Sequence, residues 1–161
     1  MKNLSLLRHA TAVKDPRFVD FDRPLDPTGE REAMRLGMAL RDLGTHFDQI
    51  FCSPAARTAR TAALVLQAMD QSTDGRVTFE RTMYTSSTEV LFRMIRRIPD
   101  DRDHVLLVGH NPEFTELANR LSIDVGELEP CTYVRFEFDV ASWLDLEHAT
   151  PVNVSILRPP H

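Results

Sequence analysis

A three-layer α/β/α sandwich with a mostly parallel central sheet is the fold class the sequence predicts, on three observations. Short apolar runs alternate with stretches of helical periodicity from Asn3 to Leu121, the arrangement of a parallel sheet covered on both faces. No internal repeat, low-complexity tract or linker breaks the alternation. Two further runs then follow one another with period-two alternation and no helix between them, which predicts an antiparallel addition at one edge.

The first strand is the run Asn3 to Leu7, and residues 10 to 27 form a polar, proline-punctuated connection. Thr28 is expected to cap a first helix with Glu30 and Glu32 in its opening turn. Ala33, Leu36, Leu40 and Leu43 keep helical spacing, and Gly44 supplies the stop. After the run Gln49 to Cys52, Ser53 reads as an N-cap and Pro54 as the first helical residue, where its missing N–H costs nothing. Arg57 then falls in the opening turn of a helix that buries Ala62, Val65, Leu66 and Met69 and ends in a turn from Asp70 to Gly75. A short strand near Val77 to Phe79 and a helix from about Thr88 to Ile98 follow. His104 to Val108 is the cleanest buried strand, and Asn111-Pro112 opens a helix carrying Phe114, Leu117, Ala118 and Leu121. Val134, Phe136 and Phe138 then alternate with Arg135 and Glu137. Val152, Val154 and Ile156 alternate likewise, the two runs being joined through Trp143 and Leu146.

With 161 residues, 42% hydrophobic and 27% charged, the chain is expected to fold as one domain, residues 1–161, around a core. A net charge of −5 argues against a nucleic-acid partner, which draws on a concentrated positive surface. Cys52 and Cys131 lack zinc-site spacing and disulfide-scaffold density, so both read as reduced, buried thiols. The N-terminal apolar run is too short for a signal peptide, and no stretch approaches the roughly 20 apolar residues of a membrane helix. A cytoplasmic location without a membrane partner is the expectation.

Three strand ends carry reactive side chains: Arg8-His9 after the first, Ser53-Pro54-Ala55-Ala56-Arg57 after the second, and Gly109-His110-Asn111-Pro112 after the fourth. Strand ends are where open α/β sheets expose their chemistry. Together the three resemble the histidine phosphatase (phosphoglycerate-mutase-like) superfamily over nearly the whole chain. The stretch from Asp20 to Gly29, with Arg23-Pro24-Leu25 inside it, resembles its small phosphohistidine phosphatase branch. The resemblance implies a phosphatase in signalling, with His9 as a transiently phosphorylated nucleophile and Arg8, Arg57 and His110 around the phosphoryl group. It also implies no cofactor and no metal, with inorganic phosphate as product.

The residues suit that chemistry. Phosphoryl transfer needs an in-line nucleophile and fixed positive charge around three equatorial oxygens. The attacking nitrogen of His9 must be unprotonated, so its other ring nitrogen should donate to a carbonyl or carboxylate. Arg8 and Arg57 offer planar donor forks, and His110 another donor. Taken singly, Arg57 also reads as a surface ion-pair member and His110 as a structural strand-end histidine; their joint placement favours a phosphoryl site. Asn111 either positions the following turn or reaches the ligand. Arg23 either contacts the pocket or anchors its loop through Asp20 or Asp22. Lys14 and Arg17 are a basic rim or a solvated loop, and Arg60 is an ion-pair member or a substrate contact.

Two departures and one gap stand out. Ala10 follows His9 where much of the superfamily has glycine, and Asp26 stands where a hydroxyl residue is common. The gap is a general acid: the path from Glu80 to Glu89 holds no inserted cap, leaving Glu89 as the candidate, with Glu80 and Asp15 behind it. An imidazole, with a pKa near roughly 6.5, leaves more readily than an alkoxide. The expected substrate is therefore a phosphohistidine-containing protein, such as a histidine-containing phosphotransfer protein of a signalling relay. A small-molecule phosphate monoester, or a non-catalytic phosphoprotein-binding module, are the alternatives.

Overall fold

In a computed structural model of the chain, residues 1–71 and 76–159 are described. Strands β1 (Lys2–Arg8), β2 (Gln49–Cys52), β3 (Val77–Phe79), β4 (His104–Gly109), β5 (Tyr133–Phe138) and β6 (Asn153–Leu157) alternate with helices α1 (Pro27–Asp42), α2 (Ala56–Ala68), α3 (Thr88–Arg96) and α4 (Glu113–Leu121). The sheet order is β3-β2-β4-β1-β5-β6. β1 to β4 are mutually parallel, β5 runs antiparallel to β1, and β6 antiparallel to β5.

Alternation along each strand divides the interior between two faces. Leu4, Leu6, Val105 and Leu107 pack with Phe92, Phe114, Leu117 and Trp143 beneath α3 and α4. Leu7, Ile50, Leu106 and Val108 pack with Leu36, Leu40, Val65 and Leu66 of α1 and α2. The sandwich has helices on both faces, as the strand–helix alternation predicts. Trp143 is fully buried in the short helix joining β5 to β6 and donates its indole N–H to the Arg102 carbonyl at 2.8 Å.

Several local readings are corrected. α1 is capped by Asp26, not Thr28: Asp26 is extended, its carboxylate accepts from the Gly29 N–H, and Pro27 takes the first helical position. The aspartate that departs from the superfamily pattern is therefore the cap. Leu43 lies beyond α1 and is exposed, although Gly44 (φ 72°) stops the helix as expected. α2 begins at Ala56 rather than directly after Ser53, because the Ser53 hydroxyl bonds His110 and the Thr58 hydroxyl holds the Ser53 and Ala55 carbonyls. Val152 precedes β6 and is exposed, as is Ile156 within it, whereas Val154 packs partly buried against the core. The expected turn after Asp70 falls mostly on residues 72–75, outside the described residues.

Candidate active site

Register at the sheet centre brings the three strand ends together. β4 lies between β2 and β1, with Arg8 opposite Gly109 and Cys52 opposite Val108. His9, Ser53 and His110 are thus the residues that follow three neighbouring strands. A cavity of about 440 Å³ opens there, lined among others by Arg8, His9, Lys14, Arg23, Arg57 and His110 and by no carboxylate. Four cations around two imidazoles make an anion niche.

His9 is buried. Its Nδ1 lies 2.7 Å from the Ala10 carbonyl, and a carbonyl only accepts, so Nδ1 carries the proton and Nε2 keeps its lone pair. Burial, followed by the nearby charges of Arg57, Arg8 and Arg23, lowers the His9 pKa to about 4. The imidazole is therefore neutral at physiological pH, as a nucleophile must be. Ala10 is fully buried and has no positive φ, so the position does not require glycine. Its N–H donates to the Thr61 hydroxyl, which in turn donates to the Arg57 carbonyl. α2 thereby fixes the loop that carries His9.

Arg57 is buried and held by one residue of the long loop: Nη1 donates to the Asp20 carbonyl at 2.7 Å and Nη2 to the Asp20 carboxylate at 3.2 Å. Arg23 donates to the other carboxylate oxygen of Asp20 and to the Val13 carbonyl, and Tyr84 donates its hydroxyl to Asp20 at 2.6 Å. The Tyr84 hydroxyl first, with both arginines, lowers the Asp20 pKa to about 2. Arg23 thus both anchors its loop and lines the cavity.

His110 sits 5.5 Å from His9 between ring centroids, with Nε2 2.7 Å from the Ser53 hydroxyl. Burial first, then Arg57, lowers its pKa to about 3. Its Nδ1, like the Nε atoms of Arg8 and Arg57, is buried without a hydrogen-bond partner. Unmet buried polar groups cost about 1–3 kcal/mol each. Asn111 spends its amide on the Leu128 carbonyl and its oxygen on Thr115. It positions the turn into α4 while also lining the cavity.

Other candidates lie elsewhere. Glu89 pairs with Arg120 on the surface at 2.8 Å and lines neither this cavity nor its neighbour. Asp15 is bound by Arg17, and Arg60 by Glu30; Glu80 lines neither space. Lys14 lines the cavity, whereas Arg17 points its charge at Asp15. Residues that sequence reasoning passed over are Thr11, Tyr84 and Glu113, the last two in a cleft that joins the cavity through Arg57, His110 and Asn111. None carries a local motif; only packing brings them in. Among the described residues, no three His, Cys, Asp or Glu side chains are grouped to hold a metal, and no helix is long and apolar enough to cross a membrane.

Residues 4–80 match the family described as Histidine phosphatase superfamily (branch 1). Over 112 residues the chain is 31% identical to an uncharacterised protein of Mycobacterium tuberculosis, an alignment spanning 70% of this chain and 67% of that one. A solved structure from Nakamurella multipartitia, assigned as the phosphohistidine phosphatase SixA, superposes with a TM-score of 0.80 at 25% identity, covering 99% of this chain and 97% of that one. Another protein assigned as SixA, from Agrobacterium tumefaciens, shares the fold at a TM-score of 0.81, 22% identity and 98% of both chains.

Proposed function

The chain belongs to the histidine phosphatase superfamily, and from that membership we propose that it is a metal-independent phosphohistidine phosphatase acting on a phosphorylated protein. Nε2 of His9 attacks phosphorus, the bond to the substrate imidazole breaks, and water then hydrolyses the phosphorylated His9 to release inorganic phosphate. Arg8, Arg57 and His110 hold the equatorial oxygens, and Arg23 and Lys14 extend the positive lining. Bonds that strengthen as charge spreads over those oxygens lower the barrier.

The observation that carries the reading is the His9 tautomer: Nδ1–H is committed to the Ala10 carbonyl, which leaves a neutral Nε2 in a niche of four cations. The superfamily resemblance favours phosphotransfer proteins as partners, and the two buried free thiols, Cys52 and Cys131, suit a reducing cytoplasm.

Steady-state phosphate release tests the proposal. The protein should turn over a phosphohistidine protein many times after exhaustive chelation, in preference to phosphoserine and sugar-phosphate substrates, and His9→Ala should abolish turnover. Preference for sugar phosphates would replace the protein substrate with a small ester. Binding without turnover would make the chain a phosphoprotein-binding module.

A further inference from the structure

The cleft beside the phosphate niche shares Arg57, His110 and Asn111 with it and adds Asp20, Tyr84 and Glu113. Hydrolysis of a phosphorylated histidine is helped by a group that takes a proton from the attacking water, and an alkoxide leaving group needs one that supplies a proton. The nearby acids differ in what already holds them. Asp20 accepts from Arg23, Arg57 and Tyr84, so it stays a carboxylate throughout the neutral range. Tyr84 commits its proton to Asp20, and Glu89 is tied to Arg120 outside the cleft. Glu113 lines the cleft with Arg57, yet among the described residues its carboxylate makes no ion pair and no hydrogen bond beyond that to its own backbone N–H. His110 lines the same cleft and is buried, with its Nε2 beside the Ser53 hydroxyl.

We infer that Glu113 is the proton-handling residue of this site, taking a proton from the water that attacks phosphorylated His9 and giving one to any leaving group that departs as an alkoxide. The inference rests on the phosphatase reading above. Glu113 is the first residue of α4, where the helix N-terminus favours a carboxylate. Burial outweighs that influence, and with Glu116 it raises the Glu113 pKa. A phosphoryl dianion in the niche raises it further.

The protons balance. In the first step the Nε2–P bond forms as the substrate's P–N bond breaks, and the electron pair passes to an imidazole whose other nitrogen already carries hydrogen. No enzyme acid is consumed. In the second step water forms a P–O bond and gives its proton to the Glu113 carboxylate. The P–Nε2 bond breaks, its electron pair returns to His9, and the Glu113 proton leaves with phosphate or to solvent.

Labelling with a ³²P-phosphohistidine protein separates the steps. In Glu113→Gln, label should transfer to His9 and persist, with turnover lowered about 100-fold, and added formate should restore turnover to Glu113→Ala. Turnover within threefold of wild type, or joint loss of labelling and turnover in a variant whose melting temperature is unchanged, overturns the assignment while the phosphatase reading stands. A wild-type protein that neither takes label nor releases phosphate overturns both.

Discussion

Gly29 ends the Asp20-to-Gly29 stretch, and the structure gives its presence there a steric cause. A Cβ at this position would lie 2.0 Å from the Thr11 carbonyl oxygen and 2.9 Å from its carbon. Ordinary contact starts near 3.5 Å, so Gly29→Ala must push the start of α1 and the loop after His9 apart by roughly 1.5 Å. Both neighbours are backbone, and no rotamer change relieves the clash. The separation also strains the Asp26 N–H bond to the Thr11 carbonyl and the Thr11 N–H bond to Glu32. Overpacking costs about 1–3 kcal/mol and each weakened hydrogen bond about 1 kcal/mol, against at most about 1 kcal/mol gained in helix propensity. The net loss of about 2–4 kcal/mol corresponds to a fall in Tm of about 5–15 °C at this size, read by thermal denaturation. Thr11 lies two residues from His9, the proposed nucleophile, so kcat/KM should fall as well, by about tenfold or more. Gly126→Ala is the control: nothing lies within contact, and only its φ of 76° is strained, at about 1 kcal/mol. A Gly29→Ala protein melting within 2 °C of wild type, a margin of about 1 kcal/mol, would refute the steric reasoning.

Three more outcomes follow from burial and charge. His9, His104 and His110 are buried with pKa values lowered to about 4, 4 and 3. Between those values and about 6.5 the unfolded chain binds more protons than the folded one, so stability falls with falling pH, by up to about 4 kcal/mol per unit near pH 5. Urea midpoints measured from pH 7 to 4.5 should drop steeply, and a flat profile contradicts the burial argument. For the proposed catalysis, a His9 pKa of about 4 leaves about 97% of its imidazole neutral at pH 5.5, against about 9% for an unperturbed histidine. The acid limb of kcat/KM, corrected for substrate ionisation, should therefore sit near pH 4, and a limb near 6.5 would mean that the niche is solvated. Glu89→Gln should hydrolyse phosphohistidine within twofold of wild type, since its carboxylate serves Arg120; a tenfold loss in kcat would return it to the chemistry.

The sequence by itself determined the sandwich, the strand ends and the four side chains that converge on the niche. Strand periodicity is local, and a residue directly after a buried strand has little freedom in where it emerges. Ser5 at the centre of β1 hydrogen-bonds both His104 and Tyr133, a buried polar pairing that only strand order creates. Tertiary packing likewise decided that Asp20 clamps Arg57, that Ser53 serves His110 rather than a helix end, and that Glu113 rather than Glu89 faces the cleft. Those choices depend on how residues 10–26 cross the sheet end and on which side of α4 meets α3. Contacts between segments far apart in the chain set both, and they leave no periodic trace in either segment.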